Sequence, residues 1–378
     1  MKKKCYHIIH TTISPCENER RIFNEVISAE KSGYRVKILA LHIPGIPEKD
    51  VISHSGIFRL FIKYWKGSPL KFIEFNCKLF FQLKREKFKI LHAHDLWVLP
   101  ATVMAAFFAK KPVIYDVHEY VRGLEIFNQK KISGFIWKLA ESIFIRFVRV
   151  IIVINDYHGR LLSQVYPNIP QPHILMNFPS LEMDKHYHQR DFNQRDKKAV
   201  YQGILKEGRN LRRVVESMNS VKDGLLEIIG YGDLENELKA LVDNLNLNEK
   251  IIFTGKISWD KLFEETSAAR TGVVLFEPDG LNYTYASPNK FFEYVNAGTP
   301  VIASDIPSFR DLIKQFEVGI LVDPTSVSSI AESIEKLLND GKTWVKIHSQ
   351  CLKARLEWNW ERQEARLLKI YKDLLNEI

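Results

Sequence analysis

Short apolar runs of strand length alternate with helix-patterned stretches from one end of the chain to the other, and this alternation constrains the fold more than any other feature. It predicts α/β architecture with parallel sheets. In the first half, strands are expected over residues 6–10, 36–41, 90–94, 113–117 and 149–154. The helices between them include 18–32, ended by Gly33, and 99–109, ended before Pro112. The cycle restarts at 199–203 and continues at 225–230, 251–255, 273–276, 301–304 and 319–322. At 378 residues the chain exceeds what one core usually serves, so two domains are expected. Pro167, Pro170, Pro172, Asn177 and Pro179, followed by the polar stretch 184–198, place the hinge between two similar sheets. The expected division is residues 1–178, residues 179–356, and a closing helix over 357–378 that packs back across the first domain. Ligands of such sheets bind beyond the carboxyl ends of the strands, so function is sought at the strand-end loops of a central cleft.

Composition narrows the setting. Hydrophobic residues make up 46% and charged residues 26%, a globular balance. Cys5, Cys16, Cys77 and Cys351 lack the short spacings of a zinc site or redox pair, which fits a reducing cytoplasm. The apolar stretch after Lys4 is too short for a signal-peptide core, and no run approaches the ~20 residues of a membrane span. The net charge of +9 is uneven: residues 58–89 hold nine Lys/Arg against two Glu, interleaved with aromatics such as Phe61, Tyr64, Trp65 and Phe81. Residues 130–149 repeat the pattern with Phe135, Trp137, Phe144 and Phe147. Basic and aromatic together suit an anionic membrane surface at the inner face of the plasma membrane; two core-packed helices with solvated lysines would look the same.

The loop and helix over 285–298 carry the strongest chemical signal. Pro288 sits where a helix begins, Ser287 can cap it, and Asn289 and Lys290 bring donors to its positive end. That arrangement suits a diphosphate. Glu293, four residues past Asn289 on the same face, is placed to accept hydrogen bonds from a ribose diol. An ordinary capped helix with a solvated Lys–Glu pair is the alternative. Gly203, at the end of the first strand of the second half, permits close backbone approach, and Arg209 offers a planar fork for phosphate oxygens or is a surface arginine. Gly230 and Gly232 let the chain turn tightly, either beside a nucleotide or for structure alone. In the first half, Asp116 and His118 share one face at the end of a strand, pointing toward the cleft or satisfying each other. His92, His94 and Asp95 end another strand. That pair of histidines could suggest a metal, but no third well-spaced ligand accompanies it in the sequence, so no metal is assigned.

The run Pro288-Asn289-Lys290-Phe291-Phe292-Glu293-Tyr294, followed by Ala297-Gly298-Thr299-Pro300-Val301-Ile302-Ala303-Ser304, resembles the donor-binding motif of family 4 retaining glycosyltransferases. The resemblance extends over nearly the whole chain and implies the GT-B fold of two Rossmann-like domains. Tyr285 stands where the family commonly has a first glutamate, and Ile204 where it commonly has an arginine. By resemblance, His118 contacts the transferred sugar, Arg209 takes the phosphate-loop lysine position, Gly230 and Gly232 form the second glycine loop, and Arg21, with His94 and Asp95, lies on the acceptor side. The implied reaction is retaining transfer from a nucleotide sugar, UDP-linked by family habit, to a glycan or lipid-linked acceptor in surface polysaccharide biosynthesis. Retention needs leaving-group stabilisation more than a strong base, and Arg209, Lys290 and a helix amino terminus supply it without a divalent cation or other cofactor. A sugar-nucleotide 2-epimerase on the same fold, for which no carboxylate pair stands out, is one alternative. A non-catalytic membrane- or nucleic-acid-binding protein is the other; nucleic acid is not an expected partner, since charge alone favours it.

Overall fold

The computed structural model describes residues 4–17, 19–63, 70–124, 127, 130–181, 189–277 and 280–378. Asn18, Tyr64, Trp65 and the first part of the polar hinge stretch lie outside the described residues. The chain forms two compact units, Met1–Asn177 with Gln363–Ile378, and Phe178–Arg362.

The first unit is built on eight strands: β1 (Cys5–Thr11), β2 (Val36–Leu41), β3 (Lys49–Ile52), β4 (Ser55–Leu60), β5 (Lys87–His94), β6 (Val113–Val117), β7 (Val150–Val153) and β8 (His173–Ile174). Their order is β3-β4-β2-β1-β5-β6-β7-β8, parallel except for the β3–β4 hairpin. That hairpin is absent from the sequence expectation. Its side chains are mostly polar or exposed, and it is recognisable only through its edge pairing and the left-handed Ser53 in its turn.

Side chains alternate across the sheet, and the two faces differ in kind. One carries Ile9, Leu91, Ala93, Tyr115 and Val117 into the apolar core under helices Leu70–Arg85 and Leu99–Ala109. The other carries histidines: β1–β5 pairing sets His10 beside His92, and β5–β6 pairing sets His94 beside Asp116. Helix Arg20–Lys31 brings Arg21 and Glu25 to this polar face, and helix Trp360–Asn376 brings Tyr371.

The two basic aromatic stretches behave differently. Helix Leu70–Arg85 buries Phe75, Leu79 and Leu83 and is core-packed. Helix Lys131–Phe144 buries only Gly134 and Glu141, while Ile132 is 80% exposed and Phe135 67%. The buried Glu141 carboxylate accepts hydrogen bonds from the hydroxyls of Tyr115 at 3.1 Å and Tyr166 at 2.8 Å. Trp137 and Phe144 pack against the core beside this bonded acid, and the helix presents Ile132, Phe135 and Ile136 outward.

The second unit is a six-stranded parallel sheet, β11-β10-β9-β12-β13-β14, formed by β9 (Asp196–Gln202), β10 (Leu225–Ile229), β11 (Ile251–Gly255), β12 (Ala269–Val274), β13 (Val301–Ser304) and β14 (Gly319–Val322). The sequence expectation set β12 four residues too late. Ala269-Arg270-Thr271-Gly272 has little strand character of its own, yet it pairs with β9 and β13 in the sheet centre. Gly272 is required there, because a Cβ would lie 2.4 Å from the Tyr294 ring.

Candidate functional site

In the second unit the loop after β9 and the helix Asn289–Asn296 bring the sequence-derived donor residues together. Gly203 (φ +126°) leaves room for Lys290: a Cβ there would sit 3.2 Å from the Lys290 Nζ. That ammonium lies 3.8 Å from the centroid of the Tyr201 ring, and the Arg209 guanidinium 4.6 Å from that of Phe276. Neither cation is in ion-pair contact with a carboxylate among the described residues. Burial, and then the charge of Arg209, hold Lys290 well below the usual ammonium range, with Glu293 opposing in part.

Glu293 is anchored at the end of β9. Its carboxylate accepts from the Gln202 side-chain amide, whose own oxygen accepts from the Thr266 hydroxyl at 2.8 Å. Tyr294 fixes the same strand end by accepting from the Gln202 backbone N–H at 3.0 Å. Gln202 and Thr266 escaped the sequence reading because an amide and a hydroxyl far apart in the chain carry no spacing signal.

One expectation needs correction here. The helix is capped by Pro288 itself, and Ser287 lies one residue outside it; its hydroxyl is buried and makes no capping bond. Gly230 and Gly232 have a structural role of their own. A Cβ on Gly230 would fall 1.9 Å from the Gly203 carbonyl oxygen, and one on Gly232 2.3 Å from that of Leu205. The two loops lock backbone to backbone, through Gly203 N–H to Ile229 O and Leu205 N–H to Tyr231 O, both 2.9 Å. Gly230→Ala is therefore expected to cost about 1–3 kcal/mol, as overpacking does, and to weaken nucleotide affinity. Urea unfolding and a UDP titration check it.

In the first unit His118 ends β6 with its side chain 21% exposed. Its Nε2 is 3.0 Å from Asp116 Oδ2, its Nδ1 is 3.6 Å from Asp95, and its backbone N–H donates to Asp95 Oδ1 at 2.9 Å. Burial opposes protonation, but Asp95 and Asp116 outweigh it and lift the imidazole to about 9. His118 is thus cationic at neutral pH. Asp116 is disfavoured as an anion by burial, yet Arg21 and His118 hold it well below the carboxylate range.

Arg21 and His94 do not face an acceptor. Arg21 is buried and fully engaged: Nε and Nη2 each donate to Asp116 at 2.7 Å and Nη1 to the Leu175 carbonyl at 2.7 Å. Its bond to Glu25 is an interior contact at 3.3 Å, not a surface salt bridge. His94 is equally buried, its Nε2 2.8 Å from His10 Nδ1 and its Nδ1 3.2 Å from His118 Nε2. Asp95 alone of the three acceptor-side residues keeps partial exposure. His10 and Glu25 complete a cluster with His92 and His94 that the sequence, read strand by strand, did not reveal. Burial above all lowers the pKa of His10, His92 and His94, leaving them neutral, while burial and then Asp116 raise that of Glu25.

Two parallel-sheet units, one with cation-bearing loops at its strand ends, define the GT-B class. The profile described as Glycosyltransferase Family 4 matches residues 19–176, and that described as Glycosyl transferases group 1 matches residues 182–351. The chain belongs to the family 4 glycosyltransferases. Among curated relatives, an uncharacterized glycosyltransferase of Methanocaldococcus jannaschii is 25% identical over 183 residues, 47% of this chain and 45% of its own. The N-acetylgalactosamine-N,N'-diacetylbacillosaminyl-diphospho-undecaprenol 4-alpha-N-acetylgalactosaminyltransferase of Campylobacter jejuni is 27% identical over 176 residues, 45% of each. The chain spans less than half the length of these relatives. Two solved structures share the fold: sucrose-phosphate synthase of Thermosynechococcus elongatus (TM-score 0.78, 17% identity, 99% of this chain and 100% of that one). The other is Anabaena HepE in complex with UDP-glucose (TM-score 0.74, 13% identity, 97% and 100%).

Proposed function

We propose that the chain moves a sugar, with retention, from a nucleotide sugar carried by UDP to a glycan or lipid-linked acceptor in surface polysaccharide biosynthesis. The observation that carries this reading is the pair Lys290 and Arg209, two cations held by aromatic faces without a carboxylate in contact among the described residues. An ammonium depressed first by burial and then by a neighbouring cation calls for an anion, and a diphosphate between the two reverses the unfavourable sign. As the sugar leaves, negative charge grows on that diphosphate, and Lys290, Arg209 and the amino terminus of helix Asn289–Asn296 stabilise it. Glu293, fixed by Gln202, accepts from the ribose hydroxyls. The His118 imidazolium, pinned between Asp95 and Asp116, positions the transferred sugar. The undecaprenyl-linked chemistry in the name of the Campylobacter relative supports a lipid-linked acceptor.

Labelled UDP-sugars incubated with an undecaprenyl-linked acceptor test the proposal. Transfer should vanish in Glu293→Ala and largely survive in Tyr285→Phe. Neither nucleotide binding nor transfer in the unaltered protein would sink it, and conversion of the UDP-sugar without an acceptor would favour the epimerase.

We place the protein in the cytoplasm at the inner face of the plasma membrane. None of its helices, among the described residues, is long and apolar enough to cross a membrane. Helix Leu99–Ala109 packs between Leu70–Arg85 and Lys131–Phe144, and the three together expose Ile73, Phe107, Phe108, Ile132, Phe135 and Ile136. Lys84 extends over the Phe108 ring at 5.3 Å, as expected where basic and apolar groups share a headgroup interface. Phe135→Glu and Ile136→Glu should each weaken flotation with anionic phosphatidylglycerol vesicles about tenfold or more, the worth of one large apolar side chain. Equal flotation of variants and parent would remove this part of the reading.

A further inference from the structure

We propose that His10, Glu25, His92 and His94 form a buried divalent-metal site in the first unit, with zinc the ion its donors favour. The inference is independent of the donor site, since every ligand belongs to the polar face of the eight-stranded sheet or to the helix covering it.

Geometry comes first. One donor atom from each residue lies within 4.8 Å of every other. His10 Nδ1, His94 Nε2 and Glu25 Oε2 form a triangle with sides of 2.8, 3.8 and 3.7 Å. A point equidistant from all three lies in their plane about 2.0 Å from each, the length of a zinc–imidazole or zinc–carboxylate bond, so a tetrahedral ion needs the three donors to draw apart or together by a few tenths of an ångström as it rises toward the fourth. His92 Nδ1, 3.8 Å from the same Glu25 oxygen, is that fourth donor, and would exchange its bond to the Tyr371 hydroxyl, at 2.9 Å, for the ion.

The second observation is unsatisfied chemistry. Glu25 is completely buried; Oε1 lies 3.3 Å from Arg21 Nε, while Oε2 makes no hydrogen bond and faces the imidazole nitrogens of His10, His92 and His94 at 3.7–3.8 Å. An interior carboxylate without such bonds is expensive, and a cation among neutral imidazoles removes that cost. Three nitrogens and one carboxylate oxygen suit zinc better than magnesium or calcium, which prefer all-oxygen shells.

The outer layer is built as metal sites build it. His94 turns its other nitrogen to Asp116 Oδ2 at 3.2 Å, the carboxylate–histidine arrangement that orients a ligating ring. His10 turns its Nε2 to the Tyr371 hydroxyl at 3.5 Å. Arg21, the nearest cation, is neutralised by its two-pronged bond to Asp116. With four protein ligands and no exposure, the ion would be structural, tying β1, β5 and helix Arg20–Lys31 together beneath His118.

The test is the metal content of the full chain without a histidine tag, purified from zinc-supplemented cells and measured by plasma mass spectrometry. About one zinc per chain is expected. Removal with a chelator should lower the melting temperature by several degrees, and added zinc should restore it. Cobalt loaded into the stripped protein should give the intense visible absorption of a four-coordinate site. Glu25→Gln should lose at least nine-tenths of the metal, with a circular dichroism spectrum unchanged from that of the parent, which separates loss of a ligand from loss of the fold. Less than about a tenth of an ion per chain after zinc loading and gel filtration, with no thermal shift, would overturn the site. So would stoichiometric metal that Glu25→Gln leaves in place. Nucleotide transfer enters none of these readings.

Discussion

Lys290→Ala is expected to lower sugar transfer by about 10²–10³-fold, the usual cost of losing one charge-stabilising group aimed at a leaving oxyanion. The side chain is half-buried at the first turn of its helix, so its removal should leave the melting temperature nearly unchanged. Lys290→Arg should not rescue. The space over Gly203 admits an ammonium, and a Cβ there would already approach Nζ to 3.2 Å, so a planar guanidinium has no room. Proton linkage gives an independent check. Burial and Arg209 lower the ammonium pKa, whereas a bound diphosphate favours the charged form. Binding therefore takes up a proton at pH values between the lowered pKa of the free protein and the higher one of the complex, and UDP affinity falls as pH rises across that window. Calorimetry in buffers of differing ionisation heat should record this uptake in the parent protein and lose it in Lys290→Ala. An unchanged proton count would remove Lys290 from the diphosphate.

Arg21→Ala should be the most destabilising single change in the first unit, at about 3–5 kcal/mol. The mutation removes both prongs on Asp116 and the bond to the Leu175 carbonyl, leaving Asp116 and Glu25 as adjacent buried acids. Because the tryptophans are divided between both units, bulk fluorescence would blend two transitions. Hydrogen exchange of peptides from β5 and β6 isolates the effect, and protection there should fall by two to three orders of magnitude, since each ~1.4 kcal/mol is tenfold. Protection equal to that of the parent would mean that the pair carries no stability. Arg21→Met with Asp116→Leu should recover part of the loss, because an absent ion pair costs less than half of one.

The alternation of strand and helix runs was legible because interior parallel strands, buried on both faces, read as short unbroken apolar segments; β2, β6 and β13 fall on the expected residues, as do the edge strands β11 and β14, which are less buried but still mostly apolar. The β3–β4 hairpin was illegible for a different reason: β3 is exposed, and in β4 the buried Ile57 and Leu60 stand among Ser55, Gly56 and Arg59, so no unbroken apolar run marks it. Lys290, Arg209 and Glu293 could be found because one loop and one helix concentrate them. Arg21 was noticed but assigned by resemblance to the acceptor side, since a charged residue near a helix start normally faces water or a ligand. Only the sheet register, which brings Asp116 beneath it, makes it interior. His10 and Glu25 were passed over for the same cause: each looks solitary until β1 meets β5.

The lock between the loops after β9 and β10 has a bearing on how such a site can diverge. Its contacts are amide to carbonyl, with glycine at the crossing points, so the path of the loop after β9 does not depend on which side chains it displays. Ile204, 54% exposed where the family commonly has an arginine, illustrates this. A lineage can exchange that residue, and with it part of the loop's charge, without rerouting the backbone that carries Gly203 and Arg209. Specificity can drift on such a scaffold while its architecture is inherited intact.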